Sequence, residues 1–392
     1  AGSFRSTSNV SNNFASTQTN IYKLDQGSFT SVKGSLTGTA TDFFTFTQFG
    51  DYIIASNGVD APLYYLMGTS TNFANLSTIA TAGTPPVFRT SGVIRDFLVT
   101  GNQSANRNRV QWCGINDITT WTPGTKQADL QDLPGSGGQI VAITSGEYGY
   151  VFRQNDGFFE VSGDQVKPIG AEKVNRFFDV DLNKAFSDRI VAAVDPFNQL
   201  AIWLYPSSQD TANTSGICDR VIVYNYVTEK WSIADASAST IFTQFLGAYT
   251  VEQMDLISGN LDNINISLDT AFWDGGQLSL GAINSSFESA IFSGDSGEVT
   301  LETSELELFP GLRSDITEVR PIVDANATVA ITTREKLVDQ PVTSSYSSMV
   351  SSGTVPVRQS GRYIRANVKI PAGTAWKDAQ GVNFVASRAG GR

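Results

Sequence analysis

The sequence predicts an all-β protein: a β-propeller of five or six blades followed by a smaller antiparallel β-domain. Three observations carry this. Strand-like runs bounded by Gly, Asn-Gly, Asp-Gly or Pro recur roughly every ten residues. The composition, with 35 Gly, 24 Phe and 12 Tyr among 392 residues and Ser/Thr/Asn between the apolar runs, suits short strands and turns better than long helices. Beyond Gly297 the texture changes to strict apolar/polar alternation. We therefore divide the chain into residues 1–296 and 297–392.

The first clear unit is a meander of Phe44-Thr45-Phe46, Asp51-Tyr52-Ile53-Ile54-Ala55-Ser56 closing on Asn57-Gly58, and Leu63-Tyr64-Tyr65-Leu66. A second has Asp96-Phe97-Leu98-Val99-Thr100-Gly101 and Arg109-Val110-Gln111-Trp112-Cys113. A third runs through Ile140-Val141-Ala142-Ile143, Tyr150-Val151-Phe152-Arg153 and, after Asn155-Asp156-Gly157, Phe158-Phe159-Glu160-Val161. The fourth is the sharpest, with Arg189 to Val194, Gln199 to Tyr205, Arg220 to Tyr226 and Lys230-Trp231-Ser232-Ile233. Weaker copies lie at Asp255 to Gly259 with Asn265 to Leu268, and at Leu278-Ser279-Leu280 with Ala290-Ile291-Phe292. Each such sheet is apolar on both faces and needs a neighbour on each side, which is the condition a ring of blades meets. Trp112, Trp203 and Trp231 are expected between sheets. A large β-sandwich is the competing architecture. In the C-terminal part, Glu298 to Thr303, Glu305 to Leu308, Val329 to Thr332 and Tyr363 to Ile370 read as half-exposed antiparallel strands, and Thr343 to Gly353 as a mobile loop.

The absence of histidine removes Ser-His-Asp and Cys-His catalysis and His-ligated zinc. Cys113 and Cys218 are too few for a disulfide framework or a thiolate metal site, so two buried thiols are expected, one long-range disulfide being the alternative. No run of about 18 apolar residues is present, and no membrane insertion is expected. The N-terminus lacks signal-peptide order, and a start at Ala1 in mid-pattern suggests loss of an N-terminal segment. No cofactor is implied. Charge is uneven: 38 acidic residues face 27 basic ones, and the 81 residues from Ser232 to Leu312 hold twelve acids and no Lys or Arg. From Arg313 onward eleven basic residues face six acidic ones. Solvated faces account for any single acid; a cation-free span of this length also gives one flank a potential that repels polyanions.

Three motifs fail on inspection. Gly135-Ser136-Gly137-Gly138 has Ile140 where a dinucleotide loop needs Gly, and no helix follows, so it reads as a loop between blades. Asp179-Val180-Asp181 opens like a calcium loop, but Lys184 stands where Gly is required and Ile190 where the bidentate Glu belongs. Asn116 to Trp121 is similar to an aspartate box with the spacing one residue short and the Gly missing, and reads as a turn with its Trp in the core. A carboxylate pair for glycoside hydrolysis is a matter of geometry that composition leaves open.

Arg109-Val110-Gln111-Trp112, Asp117 to Pro123, Ala128-Asp129, Gly137 to Ile143 and Gly149 to Phe152 form one familiar stretch. Val223-Tyr224-Asn225-Tyr226 leading to Lys230-Trp231-Ser232 forms a second. Gly361 to Arg365, Ala372 to Trp376 and Gly390-Gly391-Arg392 form a third. Together they resemble the packaged-DNA stabilisation, or tail nozzle, family of short-tailed phages, over residues 90 to 392. The resemblance implies a non-enzymatic virion structural protein of the viral tail, assembled in the host cytoplasm. It would be a homo-oligomer, a hexamer, below the portal and adaptor (head-to-tail connector) rings. Its ring would form the distal conduit that retains packaged DNA and lets it leave, with double-stranded DNA passing non-specifically and a tail needle, tip or tailspike/fibre protein bound beneath.

Such a lumen should offer phosphate few Lys/Arg contacts. Asp255, Asp262, Asp269 and Asp274 are the candidate channel-lining residues. Arg358, Arg362, Arg365 and Lys369 are the candidate inter-subunit contacts, facing a neighbour's acidic segment. Two other readings stand beside this one: a carbohydrate-binding or glycan-cleaving propeller, and a phage baseplate or fibre-attachment protein.

Overall fold

The structure is a computed structural model that describes all residues except 1, 9, 26–27, 40, 134–137, 148, 163–164, 197, 209–215, 246–277, 285–287, 293–295 and 390–392. It divides into two compact units, Ala1–Phe292 and Ser293–Arg392.

The first unit is a succession of antiparallel meanders. Blade 1 holds β1 (Gly2–Arg5), β2 (Ser11–Ser16), β3 (Ile21–Asp25) and β4 (Ser28–Lys33). Blade 2 holds β5 (Thr45–Phe49), β6 (Tyr52–Ser56), β7 (Leu63–Leu66) and β8 (Ala74–Asn75). Blade 3 holds β9 (Phe88–Ile94), β10 (Phe97–Gln103), β11 (Arg109–Trp112) and β12 (Asp129–Asp132). Blade 4 holds β13 (Ile140–Ile143), β14 (Gly149–Arg153), β15 (Gly157–Ser162) and β16 (Gln165–Pro168), and is followed by the short helix α1 (Asn175–Asp181). Blade 5 holds β17 (Val191–Asp195), β18 (Leu200–Tyr205), β19 (Cys218–Asn225) and β20 (Lys230–Ala238). A sixth sheet has three described strands, β21 (Thr240–Phe245), β22 (Leu278–Ile283) and β23 (Ser289–Ile291).

The first strand of each of these six sheets lies at its end, and from blade 2 onward it packs on the first strand of the next: β5 on β9, β9 on β13, β13 on β17, β17 on β21. The ring closes because β21 also packs on β1. This is a β-propeller.

Its cohesion comes from apolar layers between successive blades. Phe14 and Ile21 of blade 1 pack on Ile53, Leu63 and Tyr65 of blade 2; Ile54 of blade 2 packs with Phe88 and Leu98 of blade 3. Ile94, Val99 and Val110 meet Ile140, Ile143 and Val151 between blades 3 and 4. Between blades 4 and 5 the layer is aromatic, with Phe158 against Trp203 at 4.7 Å and Phe178 against Tyr205 at 4.6 Å between ring centres. Ile202, Leu204 and Val221 close on Ile241, Leu280 and Ala282 between the last two sheets. All three predicted tryptophans lie between sheets: Trp203 is fully buried, and Trp112 and Trp231 are half-buried, packed on the layers between blades 3 and 4 and between blades 4 and 5. Trp231 stands across the ladder from Tyr224, its ring 4.7 Å away.

Sequence signals for turns hold where they were strongest. The β14–β15 hairpin turns through Asn155 at φ 71° and Gly157 at φ 93°. A Cβ on Gly157 would also lie 2.2 Å from the Asn175 side chain, which donates to the Asp156 carbonyl and so fastens α1 to this turn.

The second unit packs two sheets around a core that includes Val319, Val329, Ile331, Val355, Ile364 and Val368. One sheet is ordered β24 (Val299–Glu302), β30 (Tyr363–Ile370), β26 (Thr328–Arg334), β27 (Val342–Thr343), with β28 (Ser347–Ser348) also on β26. The other is ordered β29 (Val355–Gly361), β25 (Ser314–Val323), β31 (Ala379–Arg388). Two expectations differ here. The Glu305 to Leu308 run forms a single bridge, Leu306 to Ile364, instead of a strand, and the Thr343 to Gly353 stretch contributes two short rungs to the β26 edge. The first follows from Thr303, whose N–H bonds Ala366 and whose hydroxyl accepts the return bond, ending the regular ladder.

Candidate functional site

In a blade the first strand has one edge with no ladder partner, and its backbone groups need other bonds. Here side chains of neighbouring first strands supply them. Gln48 of β5 accepts from the Arg5 N–H and donates to the Arg5 carbonyl of β1. Thr45 and Thr47 donate to the carbonyls of Arg89 and Ser91 on β9, at 2.8 and 3.2 Å. The Val93 N–H reaches the Ser145 hydroxyl at 2.9 Å, and Thr243 of β21 donates to the Val194 carbonyl of β17 at 2.8 Å.

These six strands enclose a cavity of about 1130 Å³ on the propeller axis. Its wall is uncharged, made of Phe4, Phe46, Val141 and Ala192 with the hydroxyls of Thr45, Thr47, Ser91 and Thr243. Charge gathers where the first strands begin, at Asp42, Arg89, Asp188 and Arg189. Arg89 lies 3.7 Å from Asp188 and donates to the Thr41 carbonyl; Arg189 donates to the Gly216 carbonyl and lies over the Phe186 ring. Burial works to raise the Asp42 carboxyl, but bonds from the Thr39 hydroxyl and N–H and the Arg89 charge outweigh it and hold the acid below its ordinary range. Both Thr39 bonds end on the same oxygen, Oδ2.

The four candidate channel acids, Asp255, Asp262, Asp269 and Asp274, lie outside the described residues. The four candidate inter-subunit cations fall on or beside β29 and β30. Lys369 pairs with Glu298 at 2.9 Å and Arg365 with Glu302 at 3.2 Å and Glu305 at 3.9 Å, all in the same chain. Arg334 also pairs with Glu305. The end of the acidic stretch, from Glu298 to Glu305, thus meets the basic one within the second unit along β24 and β30. Arg358 is exposed on β29 and Arg362 is half-buried before β30.

Two of the rejected motifs resolve into structural parts, while Gly135, Ser136 and Gly137 lie outside the described residues. Asp117 accepts from the Thr119 N–H and hydroxyl, the Thr120 hydroxyl and Lys126, and the turn buries Trp121, whose indole N–H donates to the Ile118 carbonyl at 2.8 Å. Asp181 ends α1 pointing inward, where it accepts from Tyr205 at 2.7 Å and from Arg220 at 2.9 Å. Both thiols are free and buried, and burial pushes each up to about 12. Among the described residues no cluster of three His, Cys, Asp or Glu could hold a metal ion, and no helix is long and apolar enough to cross a membrane.

No protein family model and no curated protein sequence matches the chain. Among solved structures it is similar to a chain of the Mitotic Checkpoint Complex, at 10% identity and a TM-score of 0.36, covering 61% of this chain and 67% of that one. It is also similar to YCF48 bound to D1 peptide, at 8% identity and a TM-score of 0.32, covering 72% and 79%. For apo AztD from Citrobacter koseri the values are 14% and 0.31, with 56% of this chain matched and about half, 53%, of that one. Likenesses this distant assign no function.

Proposed function

We propose that the chain is a structural subunit of a short-tailed phage tail, a nozzle ring through which packaged DNA is held and released. The observation that carries this reading is where the charge lies. The second unit holds eleven acidic and eleven basic residues, so the whole net charge of −11 belongs to the propeller unit. A ring of such propellers repels phosphate from its wall, and DNA slides past without counterion-releasing contacts. The second unit, neutral and internally paired, is the part that can approach a neighbouring copy, an adaptor ring or a tip protein without like-charge repulsion. The segments that resemble the nozzle family supply strands to blades 3, 4 and 5 and to β30, which agrees with the same reading. No reaction is assigned.

Electron microscopy of the purified chain at rising concentration tests the proposal. Rings of identical copies around an open centre are expected. Particles that stay monomeric at every concentration, including in the presence of a cognate adaptor ring, would contradict it.

A further inference from the structure

We infer that one end of the second unit, where Arg313, Arg358, Arg362 and Arg388 gather, docks on the acidic propeller unit of a second copy of the chain. This names the contact that the proposed ring needs, and it rests on that reading.

Strand register brings the four residues together. Gly361 of β29, Ser314 of β25 and Arg388 of β31 form one row across the sheet. Arg362 and Arg313 stand one residue beyond that row, where the Ala389 N–H bonds the Arg313 carbonyl. Neighbouring strands lie about 4.8 Å apart, so arginines crowd three adjacent strand ends. The Arg313 Nε donates to the Ser360 hydroxyl at 2.9 Å, and Arg358 precedes Ser360 by two residues on the same face of β29.

Of the four, only Arg313 has an acid within ion-pair distance among the described residues, Glu335 at 3.2 Å. Arg388 lies over the Phe309 ring at 5.6 Å, which positions its guanidinium and leaves the charge in place. Arg358 is exposed; Arg362 is half-buried, and its Nε has no acceptor. A partly desolvated cation without a counter-ion is destabilising, and an incoming carboxylate relieves it. The cations remain in excess when Asp315, one row inward, and Glu307, which the Gly311 N–H engages, are counted with Glu335.

The partner follows from charge. The propeller unit carries the whole net charge, and its residues 232–292 hold seven acids and no Lys or Arg. Separate carboxylates on such a surface suit separate guanidiniums. Duplex DNA, by contrast, would bring its phosphates onto Asp315, Glu307 and Glu335 as well as the arginines. A contact between two different surfaces of identical copies runs head to tail, which is the kind that closes into a ring.

Mass photometry and sedimentation of the full chain at rising concentration, in low and high salt, test this. The parent should associate, less strongly in high salt. Arg362→Glu with Arg388→Glu should raise the concentration needed at least tenfold. Arg358→Glu, at an exposed position remote from the core, should raise it severalfold. Arg320→Glu with Lys377→Glu changes the net charge equally toward the other end of the same sheet and should associate like the parent. Parent-like association of the Arg362/Arg388 variant, an equal loss in the Arg320/Lys377 control, or retention of duplex DNA by the parent that the Arg362/Arg388 variant loses would overturn this inference while leaving the ring reading intact. A parent that never associates would overturn both.

Discussion

Asp117 and Asp181 show how single side chains hold loops that no sheet ladder reaches. Burial works to raise the Asp117 carboxyl, but the Lys126, Thr119 and Thr120 bonds hold it well below the ordinary 3.8. A carboxyl depressed on folding stabilises the native state fully above its unfolded value and loses that contribution as pH falls toward the native one. Asp117→Asn should therefore cost about 1–3 kcal/mol at pH 7, a difference that shrinks below pH 3.8 in urea titrations of both proteins. A gap unchanged down to pH 2 would mean packing alone is lost. Asp181 is 2% exposed, and Asp181→Ala takes the acceptor from the buried Tyr205 hydroxyl and leaves the Arg220 guanidinium with Asp235 alone. The expected loss is about 1–3 kcal/mol, read as a lower urea midpoint. Cys113 and Cys218, with thiols pushed up to about 12, should resist iodoacetamide at pH 8 until denaturant is added. Rapid native alkylation would place a thiol at the surface.

At the scale of elements, the sequence showed blades where strands ended on strong turn residues, as at Asn155-Asp156-Gly157, and where β-branched and aromatic runs were unbroken, as from Leu200 to Tyr205. It offered Asp181 only within a calcium-loop motif that fails, because its place as a buried acid becomes reasonable only once β18 and β19 bring Tyr205 and Arg220 to it. Opposed charges were legible as stretches but not as partners: Arg365 and Lys369 read as a surface for another chain, and pair with Glu302 and Glu298 because β24 lies beside β30. Strand β24 brings only the half-buried Val299 to the core. Ion pairs and backbone bonds are thus what seat it. Glu305→Ala, which removes a partner from both Arg334 and Arg365, should speed amide exchange in residues 299–302 while blade 5 exchanges as before. Equal protection in both proteins would show that the backbone ladder suffices.

The whole molecule is governed by ring closure, which the sequence could not display. Residues of β1 and β21 lie at opposite ends of the propeller unit, and only their contact creates the axial cavity. Distribution of charge, by contrast, was legible from composition, since a count needs no geometry. In a phage carrying the Asp262→Lys and Asp269→Lys pair, genome ejection should slow, and the slowing should fade as salt rises. Ejection matching the parent at every salt concentration would place these acids away from the conduit.

In the proposed function, copies of this chain surround DNA with an acidic, non-adhesive wall. Electron cryomicroscopy of particles arrested during ejection tests it most directly. Density for duplex DNA is expected to run through a ring of these propellers, with a gap between the phosphates and the protein wall. A ring bearing no copies of this chain, or DNA threaded through basic contacts that the chain itself provides, would contradict it.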